Sequence, residues 1–90
     1  MERVNIRVFG DVQGVFYRST AVNIARGLGL VGWVKNTPDG GVEMIVEGEK
    51  EFLDQLIEWC REGSEFARVE NVEVDWQKAT GEFGSFEVRY

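Results

Sequence analysis

A chain of 90 residues, 43% hydrophobic and 29% charged, has material for one domain with one core, expected over residues 1–90. The absence of histidine and the single cysteine, Cys60, exclude Ser-His-Asp and Cys-His machinery, histidine metal ligation, a CxxC redox pair and an internal disulfide framework. A net charge of −6 opposes a nucleic-acid or anionic-membrane partner, yet residues 1–37 hold five basic and two acidic groups, a net of +3, so a small anion is best received there.

Val4, Ile6 and Val8 alternate with Arg3, Asn5 and Arg7, which predicts a half-buried strand stopping at Gly10. Residues Gly10 to Arg18 follow no period. Ala21, Val22, Ala25 and Leu28 recur at helical spacing, with Ser19 or Thr20 near the helix start and Gly27 or Gly29 as its C-cap. Val31 to Thr37 reads as a strand, and Pro38-Asp39-Gly40-Gly41 as a turn. Val42, Met44 and Val46 complete a hairpin. Phe52, Leu53, Leu56, Ile57 and Cys60 mark one face of a second helix, with Glu49 and Glu51 near its positive end and Gly63 after it. Val72, Val74 and Trp76 alternate, residues 77–84 read as a loop, and Phe86, Val88 and Tyr90 alternate to the last residue. The order βαββαβ predicts an α+β, ferredoxin-like sandwich: an antiparallel sheet with both helices on one face.

The segment that carries chemistry is Gly10 to Arg18. It joins a strand to a helix, contains two glycines and closes on an arginine. Such a loop can turn backbone N–H groups inward beside a positive helix N-terminus, and a guanidinium grips two phosphate oxygens at once. On the residues alone two readings stand: an oxyanion or phosphate cradle, or a tight turn whose arginine caps something or lies in solvent.

Gly10-x-Val12-Gln13-Gly14-Val15-x-Tyr17-Arg18 resembles the acylphosphatase signature G-x-V-Q-G-V-x-F-R, departing from it only by Tyr17. Gly32-Trp33-Val34-Lys35-Asn36-Thr37 resembles the second conserved stretch of that family, and Ser85 to Tyr90 its final strand. The resemblance spans the chain. It implies a metal-independent, cofactor-free hydrolase of acyl phosphates, with inorganic phosphate as product and inhibitor. It further implies that the backbone of Asp11, Val12, Gln13, Gly14, Val15, Phe16 and Tyr17, together with Arg18, holds the phosphate, and that Asn36 orients the attacking water. The chain end is implied to lie near Arg18, so the Tyr90 carboxylate is expected to help hold it.

Other readings stand beside these. Asn36 fits a plain turn residue as well. Gln13 fits a ligand as well as a brace for the loop, the brace being the expectation, and one of Phe16 and Tyr17 is expected to pack into the core. Trp33, Trp59 and Trp76 are expected in the core or against a helix, and Cys60 as a small buried hydrophobe. Asp11 is an acid beside an anion cradle and opposes binding unless its side chain points outward, although the backbone donors do not depend on it. An anion- or carbamoyl-phosphate-binding module of the same fold is the alternative function, since such domains also head larger maturation proteins. A chain that starts and stops with the domain favours the free enzyme. A ferredoxin-like RNA-binding or metal-carrier domain lacks the basic aromatic run or the CxxC it would need. The N-terminus shows no signal-peptide core, and a cytoplasmic monomer is the expectation.

Overall fold

The computed structural model describes residues 1–90. Strands β1 (Glu2–Asp11), β2 (Val31–Asn36), β3 (Val42–Gly48), β4 (Arg68–Gln77) and β5 (Phe86–Val88) alternate with helices α1 (Tyr17–Gly27) and α2 (Lys50–Glu62). They form one sheet in the order β4-β1-β3-β2-β5. The period-2 pattern sets the faces. Val4, Ile6 and Val8 lie opposite Val46, Met44 and Val42, and all six are buried together with Ala21, Ala25, Leu53, Leu56 and Cys60 of the helices. One face of the sheet is thus sealed by both helices, as the pattern predicts.

The sheet is antiparallel except at one edge, where β5 runs parallel to β2. The reason is geometric. β4 and β5 occupy opposite edges, and the chain between them crosses one end of the sheet once. A single crossing reverses the chain direction, and that direction is the one β2 already has. Residues 68–71 also belong to β4, although their alternation is broken: the register slips between Phe9 and Gly10 of β1, where a bulge lets Gly10 face Val69. Trp59 packs on Tyr17 with ring centroids 4.8 Å apart. Trp33 and Trp76 are not core residues. Trp33 falls on the face without helices, where Lys35 and Arg89 approach its ring, whereas Trp76 stands opposite buried Val4 on the helix-covered face, at the open β4 edge, where Lys50 of α2 approaches its ring.

Gly10 fixes where β1 releases the chain. Its φ is +131°, and a Cβ there would stand 2.2 Å from the Arg68 carbonyl oxygen. Backbone cannot yield as a flexible side chain does. Gly10→Ala is therefore expected to cost at least about 2–3 kcal/mol, a drop in Tm of roughly 10–20 °C. Thermal unfolding followed by circular dichroism checks this.

The crossing segment is held by a buried carboxylate. Glu47 has no exposed surface and lies on the helix-free face of β3. It accepts hydrogen bonds from the Thr80 N–H (2.9 Å), the Thr80 hydroxyl (3.2 Å) and the Gly81 N–H (3.0 Å), and pairs with Arg3 at 3.4 Å. Burial pushes its pKa up, but these donors outweigh burial and hold it below the usual carboxylate range. The stabilisation is complete above the ordinary value of 4.5 and is lost as pH falls through the lower folded value. Glu47→Gln puts an amide N–H against backbone N–H donors. It is expected to cost about 1–3 kcal/mol at neutral pH and to flatten the acid side of the Tm–pH curve, measured between pH 3 and 7.

Candidate active site

The loop after β1 enters α1 without a side-chain cap. The helix begins at Tyr17, earlier than Ser19 or Thr20, and Phe16 takes the N-cap position with φ +61°. Ser19 does not cap: its hydroxyl donates to the Phe16 carbonyl at 3.1 Å. Phe16 is the one non-glycine residue with positive φ, a conformation that costs of order 1–3 kcal/mol and persists where surrounding structure imposes it.

This geometry leaves a run of uncommitted donors. None of the amides from Val12 through Ser19 donates to another group of the chain, and the first loop-to-helix bond runs from the Thr20 N–H to the Phe16 carbonyl. Unpaired amides at a loop and helix N-terminus make an anion site through their partial positive charges. Arg18 follows in the first turn. It is half-buried, forms no ion pair, and holds its guanidinium 5.3 Å from the Tyr90 ring centroid. Val12, Gly14, Phe16, Tyr17, Arg18 and Ser19, with Val88 and Tyr90 of the chain end, line a pocket of about 300 Å³.

The C-terminal expectation is corrected in one respect. The chain end does reach Arg18, but the Tyr90 ring meets the guanidinium, and the terminal carboxylate forms no ion pair with it. Nor is the last strand regular to its end. β5 stops at Val88, Arg89 still donates its N–H to the Val34 carbonyl at 2.8 Å, and Tyr90 is fully exposed.

Asn36 ends β2 opposite Val42, on the same face as buried Val34. Its Oδ1 is buried and accepts no hydrogen bond. An acceptor in that state costs about 1–3 kcal/mol unless a donor such as a water O–H meets it. Asn36 does not line the pocket itself. It stands next to Thr37, to which the loop is tied. Gln13 donates from Nε2 to the carbonyls of Thr37 (2.9 Å) and Gly41 (2.8 Å), so it braces the loop as expected. The turn it grips is itself fixed: the Thr37 hydroxyl and the Gly41 N–H both donate to the Asp39 carboxylate. The Thr37 bond foremost, then that from Gly41, holds the Asp39 pKa below the usual carboxylate range.

Asp11 is the last residue of β1 and is exposed, paired in register with Arg68. Of the two loop aromatics, Tyr17 is the buried one and Phe16 is 74% exposed. Burial pushes the Tyr17 hydroxyl far above its ordinary pKa, so it stays an O–H donor, and it donates to the Cys60 carbonyl at 2.8 Å. Burial likewise pushes the Cys60 thiol up to about 12, which leaves it inert as a nucleophile. Sequence reasoning missed Val88 as a wall and Ser64 as a contact of the loop. Ser64 donates from its hydroxyl to the Val15 carbonyl at 2.8 Å, and only its place after the helix-ending Gly63 hinted at a role.

The acylphosphatase family model matches residues 4–88. The chain belongs to the acylphosphatase family. An acylphosphatase of Methylococcus capsulatus is 50% identical over 88 residues, covering 98% of this chain and 96% of that one. The crystal structure of acylphosphatase from Bacillus subtilis superposes with a TM-score of 0.96 at 34% identity, with complete coverage of both chains. The fold also matches part of full-length HypF in its phosphate- and nucleotide-bound form, with a TM-score of 0.90 at 28% identity. That match covers 99% of this chain and 12% of the longer one.

Proposed function

We propose that the loop from Asp11 to Tyr17 and Arg18 bind the phosphoryl group of an acyl phosphate, and that Asn36 orients the water that attacks it. The chain is an acylphosphatase, a hydrolase of the carboxyl–phosphate bond. The observation that carries the residue roles is the run of unpaired amides from Val12 to Ser19, closed by an arginine without an ion partner.

Water adds to phosphorus, the P–O bond to the carboxylate breaks, and RC(O)OPO₃²⁻ and H₂O become RCOO⁻ and H₂PO₄⁻. The carboxylate leaves readily, so the barrier falls chiefly by stabilising charge on the phosphoryl oxygens and holding water in line. Amides and the Arg18 fork supply that stabilisation without reorganising. Asn36 cannot take the proton at neutral pH; its Oδ1 accepts from the water, and the proton passes to a phosphate oxygen. In this reading no metal or cofactor is needed, because Arg18 and the amides neutralise the charge. We read the protein as a cytoplasmic monomer: its one cysteine, Cys60, is buried, out of reach of a disulfide with a second copy, and no helix is long and apolar enough to cross a membrane.

Inorganic phosphate tests the cradle directly. Titrated into ¹⁵N-labelled protein, it is expected to shift the amides of Val12 to Ser19 and to inhibit competitively. Shifts confined to other residues overturn the assignment. The likeness to a segment of HypF leaves one rival, a phosphate-binding module without turnover, which predicts the same shifts and no hydrolysis.

Asp11 tests how the cradle reads charge. A carboxylate on the order of 8 Å from a dianion in water-like dielectric costs about 1 kcal/mol, much of it screened at physiological salt. Asp11→Asn is expected to lower KM by at most about fivefold at low salt, with kcat unchanged and the gain shrinking as salt rises. Steady-state kinetics at two ionic strengths decide it.

A further inference from the structure

The residue that departs from the family signature, Tyr17, makes a contact that phenylalanine cannot make. Its hydroxyl donates to the Cys60 carbonyl in the last turn of α2, where carbonyls lack helical partners. Just beyond that helix end, the Ser64 hydroxyl donates to the Val15 carbonyl. The two bonds arrive from one region of the molecule, residues 60–64, and land on either side of Phe16. Phe16 is the residue held at φ +61°. A strained residue persists where its neighbours are fixed independently, and here both are fixed to the same helix end.

We propose that Tyr17 and Ser64 are positioning residues: two struts from the end of α2 that hold Phe16 in its left-handed conformation and keep the loop amides in place for phosphate. The inference rests on the phosphate-cradle reading above. Neither side chain needs to touch substrate. With the struts in place the amides are set before phosphate arrives, so ordering them costs nothing at binding. Without a strut, Phe16 relaxes toward negative φ and the amides around it swing out of register. Binding then weakens, while the water held at Asn36, tied down separately through Gln13, is undisturbed.

The test uses Tyr17→Phe, Ser64→Ala and the double variant, with Ile6→Val, in the middle of β1, as a core comparator that loses stability without touching the loop. Each single loop variant is expected to raise the phosphate inhibition constant and KM about three- to tenfold, with kcat changed less than about twofold. The double variant is expected to lose less than the product of the two, since a loop freed by one loss has less to lose by the second. Order parameters of the Gly14 and Phe16 amides are expected to fall in the loop variants and stay constant in Ile6→Val. Ser64→Thr, which keeps a hydroxyl, is expected to restore binding. If Tyr17→Phe and Ser64→Ala bind phosphate as Ile6→Val does, with rigid loop amides, the struts are merely structural and the proposal falls. If the wild-type protein itself fails to bind phosphate, it is the cradle reading that fails, whatever the order parameters show.

Discussion

Arg18→Gln is expected to lower kcat/KM for an acyl phosphate by about 10³-fold or more, and to weaken inhibition by inorganic phosphate in parallel. Such a loss corresponds to about 4 kcal/mol of transition-state stabilisation, the scale of removing one charged donor from a developing oxyanion. The size follows from the environment. Arg18 is half-buried beside the Tyr90 ring and spends its charge on no carboxylate, so the whole guanidinium is available to the ligand. Arg18→Lys keeps the charge but loses the planar fork, and most of the activity is expected to go with it. Because the Arg18 side chain makes no hydrogen bond within the chain, both variants are expected to unfold near the wild-type Tm, which separates a lost ligand contact from a lost fold. A folded Arg18→Gln variant with near wild-type turnover contradicts the assignment.

The second large effect concerns Asn36, and it falls on a different parameter. Asn36→Ala is expected to lower kcat by at least about 10²-fold, some 2.7 kcal/mol of barrier, with phosphate affinity nearly unchanged. Its Oδ1 stands buried without a hydrogen-bond partner, so the alanine variant also removes an unsatisfied acceptor. A modest rise in Tm is therefore expected alongside the lost turnover, the signature of a polar group kept for function. Intact kcat with lost phosphate binding, or a large drop in Tm, would make Asn36 a ligand or a prop.

Much of the fold was legible because burial writes itself into period-2 and period-3.6 patterns. Val4, Ile6 and Val8, with Leu53, Leu56 and Cys60, read as core and are core. The parallel β5 was not legible. Phe86 and Val88 alternate identically beside a parallel or an antiparallel neighbour, and only the crossing of residues 78–85, pinned by Glu47, decides it. Glu47 itself reads as one more solvent-facing acid in an alternating strand, because nothing local announces that Thr80 and Gly81 return to cover it. Trp33 departs from that reading because it falls on the open face, where its ring meets lysine and arginine, while Trp76 keeps to the helix side at the β4 edge, against Lys50 of α2.

At the site, the motif located the loop and Arg18, and the resemblance singled out Asn36. The helix start was misplaced because Ser19 and Thr20 are good caps by composition, whereas the real start is a strained Phe16 that no propensity favours. The Tyr90 ring at Arg18, the Ser64 tether and the Gln13 anchors all join residues far apart in sequence, and a pattern read along the chain does not contain them.

Backbone amides and Arg18 alone are expected to supply the electrostatics of acyl-phosphate hydrolysis. The most direct measurement is carboxylate release from benzoyl phosphate by the purified protein, in excess chelator, with inorganic phosphate varied as competitor. Turnover unaffected by the chelator and competitively suppressed by phosphate is the expected result. Absence of turnover, or turnover that the chelator abolishes and a divalent cation restores, would contradict it.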